Sequence, residues 1–210
     1  MKILLVAATR AEISQTIENF KLPDGNFLES ADFDVLITGV GMTATAFALG
    51  QTLSDKYKLV LNLGIAGSFD HNIPLGALVN VKSDEFAELG AEDNAGFLTI
   101  EDLGFGKGSY NAVNNLLNDR VLSLQKVKGI TVNKVHGNRE SIDLIVKRLN
   151  PTTESMEGAA VLYCCQQMDI PSLQIRSISN YVEPRNREHW KIGLAIVNLN
   201  KWAIDFLTNA

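Results

Sequence analysis

Cysteine is scarce in this sequence: two residues in 210, Cys164 and Cys165, adjacent in an apolar stretch. They offer neither a disulfide framework nor metal-ligand spacing, so a reducing cytoplasm is the expected compartment. Histidine is nearly as rare. His71, His136 and His189 are scattered and suggest no zinc site. Cations do not dominate: 19 Lys and Arg against 24 Asp and Glu leave a net charge of −5. Nucleic acids and anionic membranes call for basic surfaces, so neither is an expected partner. No apolar run approaches the ~20 residues that span a bilayer, and no charged-then-apolar leader opens the sequence. No internal repeat or linker divides it. What remains is ordinary globular composition, 46% hydrophobic and 20% charged. A single domain over residues 1–210 is expected, long enough to bury about 70% of its unfolded surface.

Hydrophobic patterning gives the elements. Lys2 to Ala8 is a continuous apolar run, as in a strand buried on both faces. Glu12 follows where that strand hands over to a helix carrying Ile13, Ile17 and Phe20. Residues 34–38 and 59–63 read as further buried strands, with Pro23 to Ala31 as a turn region and an alanine-rich helix to about Leu53. Residues 77–81 read as a fourth strand and 84–111 as a long polar, glycine-rich loop, which in a compact domain is usually functional or mobile. A helix is expected over 111–124, a strand over 130–135, a helix over 140–149, a strand over 172–178 and an amphipathic closing helix over 192–207. Pro151 and the Thr-Thr-Glu-Ser run read as the start of a helix continuing through Ala159 to Met168, which places Glu157 at its positive end. The fold expected is α/β, one domain with a mixed central β-sheet flanked by helices.

Two glycine patterns imitate cofactor motifs and fail. Gly39, Gly41 and Ala44 mimic a dinucleotide fingerprint, but the unit is not N-terminal and no acidic residue closes the next strand. Gly104 to Ser109 brushes against a phosphate loop with its first glycine misplaced and Gly108 where Ser or Thr belongs. No cofactor or metal is expected.

The segment Ser155-Met156-Glu157-Gly158-Ala159-Ala160 resembles the ribose-binding signature of the purine nucleoside phosphorylase and nucleosidase superfamily, and Arg176-Ser177-Ile178-Ser179-Asn180 resembles its base-recognition segment. Gly64-Ile65-Ala66-Gly67-Ser68 resembles the superfamily's glycine-rich ribose and base loop. The stretch Glu88 to Asp93 is similar to that of the futalosine hydrolases, and the likeness runs from Lys2 to the last helix. It implies that Glu12 activates water, that Glu157 binds the ribose hydroxyls over Met156, that Ile65, Ala66 and Gly67 line the nucleoside site, and that Asn180 reads the purine. Chemistry agrees, since glycosidic hydrolysis needs a base for water, an anchor for the sugar and a donor at the departing base. The methylthioadenosine nucleosidases carry a base-stacking aromatic residue just after the glycine of 136–138; Arg139, Glu140 and Ser141 stand here instead. Arg185 and Arg187 are candidates for the carboxylate-bearing tail of futalosine, because arginine forks match carboxylates.

The resemblance thus implies hydrolysis of futalosine to hypoxanthine and dehypoxanthine futalosine, in menaquinone biosynthesis, by a cytoplasmic homo-oligomer. Plainer readings exist for single residues: Glu12 and Glu157 as helix-start carboxylates, Asn180 as a strand-end cap, 181–190 as a solvated charged loop. Two other functions stay open. A phosphorylase for 6-oxopurine nucleosides would hold phosphate with arginines and hydroxyls, and here Ile65 sits mid-loop and Arg10 is the one arginine near the first strand end. A non-catalytic nucleoside-binding module would release no base.

Overall fold

The computed structural model describes residues 2–94, 96–115 and 118–209. In chain order the elements are β1 (Lys2–Ala7), a 3₁₀ turn (Arg10–Ile13), α1 (Ser14–Asn19), β2 (Phe27–Glu29), β3 (Phe33–Ile37), α2 (Met42–Thr52), β4 (Tyr57–Ser68), β5 (Leu78–Phe86), β6 (Gly90–Asp93) and β7 (Gly96–Thr99). The chain continues through β8 (Ser109–Asn111), α3 (Asp119–Leu122), β9 (Gln125–Thr131), α4 (Arg139–Leu149), β10 (Thr153–Ser155), α5 (Gly158–Gln167), β11 (Ser172–Tyr181), a second 3₁₀ turn (Arg187–His189) and α6 (Ile192–Thr208). Nine strands form one mixed sheet in the order β10-β9-β5-β11-β4-β1-β3-β2, with β8 added to β5; β6 and β7 make a separate hairpin.

The apolar run at the start of the chain is explained by this sheet. β1 lies between β3 and β4, parallel to both. Leu4 and Val6 pack on one face with Leu49 of α2 and Val161 and Cys165 of α5. Ile3, Leu5 and Ala7 pack on the other with Ile13, Ile17, Leu199, Ala203 and Phe206. Both faces are covered by helices, so every β1 position from Ile3 onward is buried.

β4 decides where the site lies. Its twelve residues pair with β1 and β11 along most of their length, and the far end, Gly67 and Ser68, pairs with β10. Because β10 also pairs with β9, the strands β4, β10, β9, β5 and β11 close on themselves beyond the end of β1. The segment 64–68 expected as a loop is therefore strand, its backbone groups taken up by β11 and β10. Likewise the expected helix start at Pro151 is strand β10, and α5 begins only at Gly158. Pairing with neighbours distant in sequence overrides local propensity in both places.

Other expectations shift in the same way. The turn region 23–31 contains β2, an edge strand on β3. The helix expected over 111–124 is reduced to Asp119–Leu122, with β8 at its start and residues 116–117 outside those described. The strand expected over 130–135 lies earlier, as β9, and 132–138 connects it to α4. The stretch 84–111 holds the end of β5, the β6–β7 hairpin and β8. Among the described residues no helix is long and apolar enough to cross a membrane.

Candidate active site

A cavity of about 370 Å³ opens where β1, β3 and β4 end. It is lined by Glu12, Ile65, Ala66, Gly67, Met156, Glu157 and Asn180, seven residues scattered over 169 positions of sequence. Strand ends in open α/β sheets are the usual place for such convergence.

Glu12 is fixed by the turn that carries it. Thr9 and Glu12 form a capping box: the Glu12 carboxylate accepts from Thr9 N at 3.0 Å, and Glu12 N donates to Thr9 Oγ1 at 3.4 Å. The carboxylate's other oxygen accepts from Ile65 N at 3.1 Å, tying it to β4. Behind it, buried Asn200 of α6 donates to the Glu12 carbonyl at 2.8 Å and accepts from Thr16 N at 2.8 Å. The closing helix thus sets the position of Glu12. Arg10, the arginine weighed from sequence, points away and pairs with Asp24 at 2.9 Å.

Glu157 sits just before α5 but does not cap it. Its carboxylate accepts from Gly41 N at 2.9 Å, and that amide is presented by a backbone with φ of +97°, which glycine adopts without strain. Burial pushes the Glu157 pKa up, while the charge of Arg176 and the Gly41 amide act against it. Helix α5 is itself pinned from below. Ala159 N donates to Thr131 Oγ1 at 2.7 Å, and Thr131 donates to Asp84 at 2.8 Å. Asp84 also accepts from Gln174 at 2.7 Å, and its burial raises its pKa to about 6.

Arg176 corrects the sequence reading, which saw no arginine but Arg10 near the first strand end. It lies in β11 beside Gly64 of β4 and is 2% exposed. A Cβ on Gly64 would overlap its Nη1 and lie 3.0 Å from Glu12 Oε1, so the glycine makes room for the guanidinium beside the carboxylate. Its Nε and Nη2 are buried without a hydrogen-bond partner among the described residues. Such an orphan costs about 1–3 kcal/mol and calls for a ligand, water or ion. A lone charged residue in the otherwise uncharged run 172–179 was the available signal.

Asn180 follows a β-bulge: Ile178 pairs with Ala66 and Asn180 with Gly67, leaving Ser179 extra. Its Oδ1 accepts from Ser179 Oγ at 2.8 Å, and its Nδ2 donates to Tyr181 O at 3.0 Å. One N–H and one lone pair remain for a ligand. Arg185 and Arg187 are exposed and do not line the cavity; their guanidinium carbons lie 4.9 Å and 5.8 Å from the ring centre of Trp190, which does. The cavity also brings in Val40, His136 and Glu154, which the sequence reading did not assign.

The arrangement has the parts for displacement at a sugar carbon: a carboxylate beside a free guanidinium, a second carboxylate on a different wall, and an amide at the end of β11. The chain is similar to known proteins. Residues 35–207 match the model of the phosphorylase superfamily. The futalosine hydrolase of Streptomyces coelicolor is 34% identical over 188 residues, covering 85% of this chain and 77% of its own. The 5'-methylthioadenosine/S-adenosylhomocysteine nucleosidase of Shewanella sediminis is 26% identical over 200 residues, 86% of each chain. The native structure of the futalosine hydrolase of Helicobacter pylori superimposes with a TM-score of 0.83 at 17% identity, covering 100% of this chain and 98% of that one. The chain belongs to the phosphorylase superfamily and, within it, to the futalosine hydrolase family of N-glycosyl hydrolases.

Proposed function

We propose that this protein hydrolyses futalosine, releasing hypoxanthine and dehypoxanthine futalosine, as a step of menaquinone biosynthesis in the cytoplasm. The observation that carries this reading is the convergence of Glu12, Glu157 and Asn180 on one cavity with the orphaned guanidinium of Arg176 beside Glu12. Glu12 takes a proton from the attacking water, and the buried Arg176 guanidinium beside it supplies positive charge to the carboxylate. Glu157 accepts from the ribose hydroxyls, with Met156 against the sugar and Ile65 to Gly67 along its path. Asn180 donates to O6 of the 6-oxopurine and accepts from a protonated N7, a pairing that an ionised Asp would spoil. The tail carboxylate reaches Arg185 or Arg187 past Trp190. The same proposal includes a homo-oligomer, for which exposed Val40 at the cavity and exposed Phe47 of α2 supply apolar surface.

Phosphorolysis is the competing reading, and Arg176 is the observation in its favour, since a guanidinium suits phosphate as well as water. Against it, the Glu12 carboxylate occupies the Ile65 amide, and a phosphate there would face that like charge. Incubation with futalosine, aminofutalosine, methylthioadenosine and inosine, with and without phosphate, separates the readings. Phosphate-independent hypoxanthine release, fastest from futalosine, is expected. Asn180→Asp should depress futalosine cleavage and narrow or reverse the preference over aminofutalosine, because mismatched buried polar groups cost powers of ten in kcat/KM. A phosphate requirement, binding without base release, or equal use of both futalosines that Asn180→Asp leaves unchanged would each count against the proposal.

A further inference from the structure

A purine leaving its sugar takes the electron pair of the C1′–N9 bond and must acquire a proton to depart neutral. Asn180 cannot supply it: an amide donates a hydrogen bond but does not release its proton near neutral pH. The titratable side chains lining the cavity are Glu12, Glu157, His136 and Glu154. In the proposed reaction Glu12 is engaged with water and Glu157 with the ribose. His136 and Glu154 are left, and they are built as a unit.

His136 lies in the connection between β9 and α4, and Glu154 is the central residue of β10. The imidazole Nδ1 is 2.7 Å from Glu154 Oε2, and the His136 backbone N donates to Glu154 Oε1 at 3.0 Å. Both oxygens of a carboxylate only 4% exposed are therefore spent on one histidine. Phe69 closes the side of the ring, edge-on at 6.2 Å between centres. With Nδ1–H directed to Glu154, Nε2 is the position where the ring gains or loses its proton. Among the described residues Nε2 has no hydrogen-bond partner, although His136 lines the cavity. The pair stands at the Asn180 end. A Cβ on Gly67 would lie 3.2 Å from Asn180 Nδ2 and 3.6 Å from Glu154 Cγ, so both groups border the same residue of β4.

We infer that His136, held by Glu154, is the general acid that protonates the departing purine. This rests on the nucleosidase reading above. As water attacks C1′, its proton passes to Glu12 and the C1′–N9 electron pair moves onto the base. The imidazolium Nε2 proton passes to N7 of the purine, directly or through one water, and is the N7–H from which Asn180 then accepts. The neutral imidazole regains a proton from solvent, and Glu12 returns its own to solvent, so the cycle closes without a co-reactant. Glu154 acts as the positioning residue for the ring.

The test compares two leaving groups. Futalosine must be protonated to release hypoxanthine, whereas p-nitrophenyl β-D-ribofuranoside releases a stable phenolate without help. His136→Gln and His136→Asn are both made, and circular dichroism identifies the folded variant that decides. Its kcat/KM on futalosine should fall by about 10²–10³-fold, and the ratio of the futalosine rate to the nitrophenyl riboside rate should fall by about 10² or more. Glu154→Gln should shift that ratio in the same direction by less. Equal losses on the two substrates overturn the acid role and leave the nucleosidase reading standing. A native protein that releases no purine from any nucleoside overturns both.

Discussion

Strands β1, β3 and β4 end in buried carboxylates on both sides, and the two ends treat them in opposite ways. Where these strands begin, Asp34 is saturated: Lys2 Nζ lies 2.9 Å from one oxygen, and Tyr57 OH at 3.0 Å and Lys56 Nζ at 3.3 Å reach the other. Burial alone would raise its pKa, but the hydrogen bonds from Lys2, Tyr57 and Lys56 together hold it below the usual carboxylate range. Where the same strands end, Glu157 accepts from the Gly41 amide, its pKa is pushed up by burial, and among the described residues two nitrogens of nearby Arg176 have no partner. A closed polar cluster stabilises the fold. An open one forgoes stability so that a ligand can complete it.

Removing a charge at each end should break this comparison into its parts. The largest effect is expected at the open end, where Glu12→Gln should lower kcat on futalosine by about 10²–10⁴-fold with little change in KM. Gln can keep the capping box with Thr9 but gives up the acceptor for Ile65 N, so kcat is compared on protein shown by circular dichroism to be folded. A folded Glu12→Gln protein with near-native kcat would remove Glu12 from the chemistry.

At the closed end the expected effect is on stability. Asp34→Asn should unfold about 1–3 kcal/mol more easily in urea at pH 7, with kcat unchanged where the variant is folded. The sign of the pH dependence follows from the depressed pKa of Asp34. The native advantage is fully present above the unfolded-state pKa, near 4, and is lost as pH falls through the lower folded value. Urea midpoints of both proteins between pH 7 and pH 2 measure this. A gap that stays constant over that range would mean that Asp34 acts through packing and not through charge.

The smallest effect sharpens the boundary of the open end. Arg185 and Arg187 are exposed, so solvent screens their attraction for a carboxylate. Replacing either with Ala should raise KM for futalosine about three- to tenfold and leave inosine, which has no carboxylate tail, almost unaffected. Equal changes on both nucleosides would assign the arginines to the Trp190 loop instead.

Much of the scaffold was legible because its signal is local. The run 2–8 could be read as a doubly buried strand from apolarity alone, and the closing helix from its period. The motifs around Glu157 and Asn180 pointed to one site before any coordinates, through their resemblance to the superfamily. The segment 64–68 was misread because glycine disfavours strand, and its pairing partners lie more than 80 residues away in β10 and β11. The helix expected from Pro151 failed for the same reason.

Which segments are apolar enough to be buried, and which residue types are available for chemistry, can be read residue by residue, since transfer from water and ionisation belong to the side chains themselves. Which charges are satisfied was settled by the folded arrangement of the strands. Arg176 and Asp34 each look, in sequence, like one charged residue in a buried strand. Register and strand crossing place Lys2, Lys56 and Tyr57 around Asp34, and place Gly64 and Glu12 beside Arg176, two of whose nitrogens find no partner among the described residues. The same non-local pairing brings His136 from beyond β9 onto Glu154 of β10. Whether a buried polar group is part of the scaffold or part of the site depends on partners that only the folded chain can bring to it.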